Sequence, residues 1–294
     1  MKLGLQISNF TWKGRGPMLG ENLATIARTA EDVGYDSIWV MDHLFQIPPI
    51  GSAHMEMLEA YTALAFIAAH TRTTRLGTMV TGVTYRNPGF LCKQVSTLDV
   101  LSGGRAVFGI GAAWFDREHK AYGIPFPPLK ERFERLEETI RICKQMWTTK
   151  EDGPFQGKHY QFKETLNSPQ PLQKPHPPIL IGGGGEKKTL KLVAQYANAC
   201  NVHAYSPEFV AGKFAVLRRH CEAIGRNFDE IERTVILSGL DVGPGGERTG
   251  EAVELLGRLA EVGVQAVYSW VSGADKIAPL EAVGRDVIPR VRDL

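Results

Sequence analysis

At 294 residues, 43% hydrophobic and 22% charged, the chain has the composition of an ordinary globular protein with a large core, which excludes the disordered and fibrous classes. Thirty-four Lys and Arg against thirty-two Asp and Glu leave a formal net charge of +2, too weak a field to gather a phosphate backbone, so nucleic acid is not an expected partner. The longest wholly apolar stretches, such as residues 63–69, fall well short of the roughly 18 to 20 residues of a spanning helix, and the first residues lack a long apolar run with a small-residue cleavage site; the expectation is a cytoplasmic chain away from membranes.

In chain order, residues 2–8 read as a strand. Leu23, Ile26, Ala27, Ala30 and Val33 then fall at helical spacing and predict a helix over 20–33, closed by Gly34. The continuously apolar run after it, Ser37 to Met41, is the mark of a strand covered on both faces, placed at 36–41. The same grammar of helix, glycine and buried strand recurs. Strands follow at 75–83, 105–110, 178–182, 198–202, 233–240 and 264–270, and helices at 59–70, 88–101, 130–148, 185–197, 207–224, 249–262 and 276–292. Eight strands strictly alternating with eight helices predict an α/β fold, a closed (β/α)8 TIM barrel of parallel strands, with an open doubly wound sheet as the runner-up.

Two segments stand outside the repeat, one after strand four (residues 111–129) and one before strand five (149–177), the second carrying a short hairpin around Gly157-Lys158. Both are rich in aromatics and prolines, which pack rather than flex, so residues 1–294 read as a single barrel domain. Cys92, Cys143, Cys200 and Cys221 lie far apart, form no Cys-x-x-Cys pair, and read as small buried hydrophobes.

A barrel presents its chemistry at the C-terminal ends of its strands. That rim holds Asn9, Phe10 and Trp12 after strand one, Asp42 and His43 after strand two, Tyr85 after strand three, Gly111, Ala112 and Trp114 after strand four, Gly182 to Gly185 after strand five, and Asn201 and Val202 at the end of strand six. The four glycines join a strand to a helix, where the absence of side chains allows close approach and a helix N-terminus offers free N–H groups, so they form a candidate phosphate site with Lys187 and Lys188 nearby. A tight turn without a ligand is the plainer alternative. The run is neither a P-loop nor a dinucleotide fingerprint.

His43 is the acid/base candidate, because histidine titrates near neutrality; the competing reading is a structural histidine that bonds a loop. Asp42 points the opposite way if the strand continues, and no spacing of His, Cys, Asp or Glu suits a metal. No Gly-x-Ser-x-Gly elbow or rim cysteine offers a nucleophile. Glu59, Arg117 and Glu118 either serve the site or are solvated helix or loop charges, the second being the plainer reading.

Val40-Met41-Asp42-His43, Leu76 to Thr81 followed by Arg86-Asn87-Pro88, Ser102-Gly103-Gly104-Arg105 leading into Gly109 to Trp114, and Gln173 to Ile179 followed by the glycines together resemble the luciferase-like monooxygenase superfamily. Glu118, Tyr122-Gly123 and Glu131-Arg132 continue the likeness, which spans nearly the whole chain. It is most similar to the actinobacterial branch of coenzyme F420-dependent oxidoreductases. The resemblance implies a luciferase-like barrel that binds a flavin-like ring at the strand ends, either the deazaflavin F420, which exchanges a hydride, or FMN, which activates oxygen.

It also implies a bulge with a non-proline cis peptide at Met79 and Val80 behind the ring, Asp42 and His43 as the ring-side pair with His43 as proton partner, Gly111 and Ala112 beside the cofactor, its phosphate on Gly182, Gly183, Gly184 and Gly185, and Asn201 and Val202 lining it. Members that oxidise a sugar phosphate have a glutamate where this chain has Trp114 and a tryptophan where it has Ile47. Asn9, Phe10, Trp12, Phe45, Tyr85 and Trp114 therefore outline a more aromatic pocket for a small apolar or aromatic substrate. A non-catalytic flavin-binding protein is the alternative of another class. The resemblance further implies a homodimer.

Overall fold

A computed structural model describes residues 1–148, 152–243 and 245–294. The strands are β1 (Lys2–Ile7), β2 (Ser37–Val40), β3 (Arg75–Thr78), β4 (Thr81–Gly82), β5 (Ala106–Gly111), β6 (Phe155–Gln156), β7 (Gln161–Phe162), β8 (Ile179–Gly182), β9 (Ala199–His203), β10 (Glu232–Leu240) and β11 (Ala266–Val271). The helices are α1 (Arg15–Asp32), α2 (Ala60–His70), α3 (Pro88–Leu101), α4 (Asp116–Tyr122), α5 (Leu129–Met146), α6 (Thr189–Tyr196), α7 (Pro207–Ala223), α8 (Thr249–Glu261), α9 (Ala278–Ala282) and α10 (Ile288–Val291). All strands but the β6–β7 hairpin join one parallel sheet in the order β3-β2-β1-β11-β10-β9-β8-β5-β4, and β3 pairs with β5 to close it. Since β3 and β4 are the halves of one interrupted strand, this is a closed eight-stranded barrel, as the alternation predicts.

Alternation of side chains across each strand divides the core in two. One set, including Ile38, Leu76, Phe108, Ile181 and Val202, packs beneath the helices. The other fills the barrel interior with Trp39, Val107, Leu180, Ala199, Ala266 and Tyr268. Trp39 and Tyr268 lie with ring centroids 4.5 Å apart, and they fit because Gly4 and Gly77 offer no side chain. A Cβ on Gly4 would stand 2.5 Å from Tyr268 Cδ1 and one on Gly77 2.5 Å from Trp39 Cζ3.

The structure departs from the sequence reading at several places. The strand expected over 75–83 is broken by a cis peptide at Met79–Val80, the position that the resemblance implied. The helix expected over 20–33 starts at Arg15, because Pro17 in the first turn has a fixed φ and no N–H to lose, which makes an unperiodic start helical. The helix expected over 276–292 is three pieces, with a π-helical segment at Val283–Val287 ahead of Pro289, which lacks the N–H that an unbroken helix needs. The segment after β5 contains α4, whose charged sequence hides a buried face. The segment before β8 contains the expected hairpin, held to α5 because the Glu138 carboxylate accepts from the N–H groups of Lys158 (2.7 Å), His159 and Tyr160 (both 3.0 Å); its residues 149–151 lie outside the described residues.

Candidate functional site

The strand ends surround a cavity of about 630 Å³. Its wall begins with the interrupted third strand. Thr78 Oγ1 donates to the Gly109 carbonyl at 2.9 Å and lies 2.7 Å from Thr81 Oγ1, which in turn lies 2.8 Å from the Tyr61 hydroxyl, so the residues on either side of Met79 and Val80 are pinned to β5 and α2. Val80 then fits between two glycines. A Cβ on Gly111 would fall 2.8 Å from its Cγ2 and one on Gly182 2.9 Å from its Cγ1. The bulge, β5 and β8 therefore form one smooth wall only while both positions lack side chains.

β2 ends at Val40, so the opposite orientation that a continued strand would give does not apply, and Asp42 and His43 both line the cavity. The Asp42 carboxylate, 4% exposed, takes both terminal nitrogens of Arg86 at 2.7 and 2.8 Å and the Gly82 N–H at 3.0 Å. This bidentate pair ties β2 to the residues after the bulge. Arg86 also reaches Glu59 at 2.6 Å. Burial works against its charge, and the Asp42 carboxylate beside it raises its pKa above the usual value.

His43 is held by a group that the sequence conceals. Glu118, on α4 and fully buried, receives His43 Nδ1 at 2.9 Å and the Tyr85 hydroxyl at 2.5 Å on Oε2, and the N–H groups of Leu44 (2.6 Å) and Phe45 (3.2 Å) on Oε1. Burial pushes the Glu118 carboxyl up, but the hydrogen bonds from His43, Tyr85 and Leu44 outweigh it and hold it below the usual carboxylate value. An ionised carboxylate only accepts, so the proton sits on Nδ1 and Nε2 is left for the cavity, on whose wall His43 lies. Glu118 corrects the reading of that residue as a solvated charge. Its signal is faint because Asp116, Arg117, His119 and Lys120 around it look like an exposed helix, and its partners lie 33 to 75 residues away. Glu59 likewise caps α2 and serves Arg86, while Arg117 sits 5.3 Å above the Phe45 ring.

Of the other candidates, Met79, Val80, Tyr85, Gly111, Ala112, Trp114, Gly182, Gly183, Gly185 and Asn201 line the cavity with Asp42 and His43. Trp114 is 57% exposed, packs on Phe115 at 5.0 Å and meets the His43 ring edge-on at 5.7 Å. Several candidates lie elsewhere. Val202 faces outward into the helical layer, since Asn201 takes the inward position beside it. Phe10 is completely buried in the core, and Phe45 packs on Phe115 and Tyr122 away from the cavity wall. Asn9 and Trp12 line a neighbouring cavity of about 320 Å³. His203, Ser238 and Trp270 join the main wall without having been singled out.

The glycine run also differs in detail. The helix after it begins at Thr189, four residues beyond Gly185, because residues 186–188 form a turn first. Gly183 adopts φ +118°, a conformation that strains any other residue. The cation over this loop comes from α7. Lys213 Cε lies 3.6 Å from where a Gly184 Cβ would stand, and its Nζ is paired with Glu186 at 2.7 Å. Lys188 instead lines a separate small groove beside Glu134 and Glu137 of α5.

The profile of the luciferase-like monooxygenase family matches residues 1–262. The chain belongs to that family. Among its relatives, the F420-dependent glucose-6-phosphate dehydrogenase of Kineococcus radiotolerans is 34% identical over 216 residues, which are 72% of this chain and 62% of that protein. The FMNH(2)-dependent dimethylsulfone monooxygenase of Pseudomonas putida is 39% identical over 97 residues, 33% of this chain and 26% of that protein. The chain thus matches less than two thirds of the length of these curated relatives. A solved F420-dependent secondary alcohol dehydrogenase, in complex with an F420-acetone adduct, superposes with a TM-score of 0.83 over 99% of both chains at 16% identity, a likeness of fold. Among the described residues no group of three or more His, Cys, Asp or Glu is placed to hold a metal, and no helix is long and apolar enough to cross a membrane.

Proposed function

We propose that this luciferase-like chain is a coenzyme F420-dependent oxidoreductase that exchanges a hydride between the deazaflavin and a small apolar or aromatic organic substrate. One observation carries the reading: a side-chain-free glycine cradle and an imidazole oriented through Nδ1 stand on the wall of a single cavity at the strand ends. The identity to the F420-dependent enzyme of Kineococcus supports the choice of coenzyme.

The residues present fit a broad ring with a phosphate arm. A Cβ at Gly111 or Gly182 would press on Val80 and spoil the wall on which a ring lies, while Gly183, Gly185 and Lys213 suit a phosphate. F420 would supply the hydride chemistry when bound. Met79, Val80, Gly111, Ala112 and Asn201 shape its seat, and Asp42 fixes that seat through Arg86 rather than by touching substrate. His43 holds or takes the balancing proton at Nε2, because Glu118 keeps the other nitrogen occupied. Trp114 and Tyr85 offer aromatic faces to an apolar substrate and exclude water beside the imidazole. The same reading treats residues 1–294 as one barrel domain working in the cytoplasm as a homodimer.

The second reading, a reduced-FMN monooxygenase, is favoured by the match to the dimethylsulfone enzyme. Titration of coenzyme-free protein with F420 and with FMN, each followed by its own fluorescence, decides between them. Tight F420 and weak FMN binding is expected; the reverse order moves the protein to the oxygen-using branch, and binding of neither removes the ring site. A His43→Ala variant separates enzyme from mere binder, with turnover lost and F420 affinity kept as the expected outcome.

A further inference from the structure

Arg132, in the first turn of α5, is half-buried and has no carboxylate partner among the described residues. Its N–H groups go to backbone carbonyls instead. Nε donates to Pro127 at 3.1 Å, and Nη1 donates to Ala112 at 3.2 Å and to Ala113 at 2.5 Å. A guanidinium spent on the neutral carbonyls of one loop serves that loop's geometry rather than charge balance.

Ala113 shows which geometry is held. Its φ of +59° is left-handed, and among the described residues only Ile277 shares a positive φ while carrying a side chain. Such a conformation is uncommon for a residue with a Cβ and persists where the surroundings impose it. It sets the direction in which the next residue, Trp114, leaves the chain, on the cavity wall and edge-on to the His43 ring at 5.7 Å. Trp114 is 57% exposed, so it has no deep burial of its own to keep it there.

The other aromatic wall is linked to the same arginine. The Arg132 guanidinium lies 4.1 Å from the centre of the Phe126 ring, Phe126 lies 4.4 Å from His119, and His119 stacks on Tyr85 at 4.7 Å. Gly82 leaves room where the two walls meet, since a Cβ there would stand 2.6 Å from Tyr85 Cε2 and 3.5 Å from the Ala113 Cβ. Arg132 itself is not among the residues that line the cavity.

We propose that Arg132 is a positioning residue for substrate selection: it holds Ala113 left-handed and thereby sets Trp114 as the flat face against which a planar aromatic substrate lies. This deepens the proposed function and rests on it for the class of substrate.

Two probes of one skeleton test the idea by calorimetry on coenzyme-free protein: 2-naphthol, which is planar, and decahydro-2-naphthol, which is puckered. The readout is the ratio of their affinities. Arg132→Met, which keeps the length but loses the donors, is expected to lower the ratio about three- to tenfold, the worth of one aromatic pair. Trp114→Ala should lower it equally, and the double variant no further, because the two residues act as one unit. Arg132→Lys, which keeps a donor, should retain part of the ratio. Ala113→Val, with Arg132 intact, should lower it as Arg132→Met does, since a β-branched residue resists the left-handed region. An unchanged ratio in Arg132→Met, losses that add in the double variant, or no binding of either probe by the wild type overturns the proposal. Where Arg132→Met fails to fold, an unchanged ratio in Ala113→Val overturns it. If the ratio responds as expected and F420 does not bind, the coenzyme reading falls and the positioning role stands. If F420 binds and the ratio does not respond, the positioning role falls alone.

Discussion

Glu118 decides whether the site is chemically competent, because one carboxylate collects four donors and thereby fixes the loop after β2, the Tyr85 hydroxyl and the tautomer of His43. In Glu118→Gln the amide turns an N–H toward one of these donors whichever way it faces, so either His43 or the Leu44 N–H loses its acceptor. Turnover is expected to fall about 10- to 100-fold, the usual effect of removing an orienting carboxylate behind a working imidazole, with substrate KM and coenzyme affinity preserved. Steady-state kinetics with a coenzyme titration checks this, and a change confined to KM would assign Glu118 to binding instead. At this scale the sequence is least informative. His43 and Asp42 are visible because they end a strand, a place that the fold itself marks. Glu118 sits in a short charged helix, and its partners lie in the segment after β2 and at Tyr85 beyond the bulge, which no local periodicity reports.

At the level of elements, the strands are legible because a barrel strand is buried on both faces and each is a short apolar run ended by a glycine or polar turn. Helix starts are less so, since a start such as that of α6 depends on a turn rather than on periodicity. One junction between elements predicts a pH effect. Glu31, in the last turn of α1, accepts from the N–H groups of Arg72, Thr73 and Thr74 and from the hydroxyls of Thr73 and Thr74, joining α1 to the entry of β3. Burial pushes its carboxyl up, but the Thr73, Thr74 and Arg72 bonds prevail and bring it from 4.5 down to about 2. A folded-state value below the unfolded one means that the unfolded chain binds the extra proton, so the stabilisation is complete above pH about 4.5 and is lost as pH falls through about 2. The Glu31→Gln variant should therefore unfold at lower urea than the wild type at pH 7, and the two midpoints should converge as pH drops toward 2. A gap independent of pH would show that the bond geometry, not the charge, joins these elements.

Across the whole molecule, the two ends of the barrel divide stability from binding, and glycines at each end expose that division. Gly4 lies in the packed interior beside Tyr268 and Trp39, whereas Gly182 lies on the cavity wall against Val80. A methyl group added at Gly4 has nowhere to go, since Ser37 Oγ and Tyr268 Cδ1 both stand 2.5 Å from it and Trp39 is fixed by its bond to Ser37 at 2.8 Å. Overpacking of this kind costs about 1 to 3 kcal/mol, so Gly4→Ala should lower the urea midpoint. It should leave coenzyme affinity unchanged. A methyl group at Gly182 meets a single valine that has the open cavity beside it, so Gly182→Ala should keep most of the stability while Val80 is displaced into the coenzyme seat and F420 affinity falls about tenfold, a loss of about 1.4 kcal/mol. Paired urea unfolding and F420 titration of the two variants reads both axes at once. If Gly4→Ala weakened F420 as much as Gly182→Ala, the interior layer and the coenzyme seat would be one cooperative unit, and the separation of a stabilising base from a working rim would not hold for this barrel.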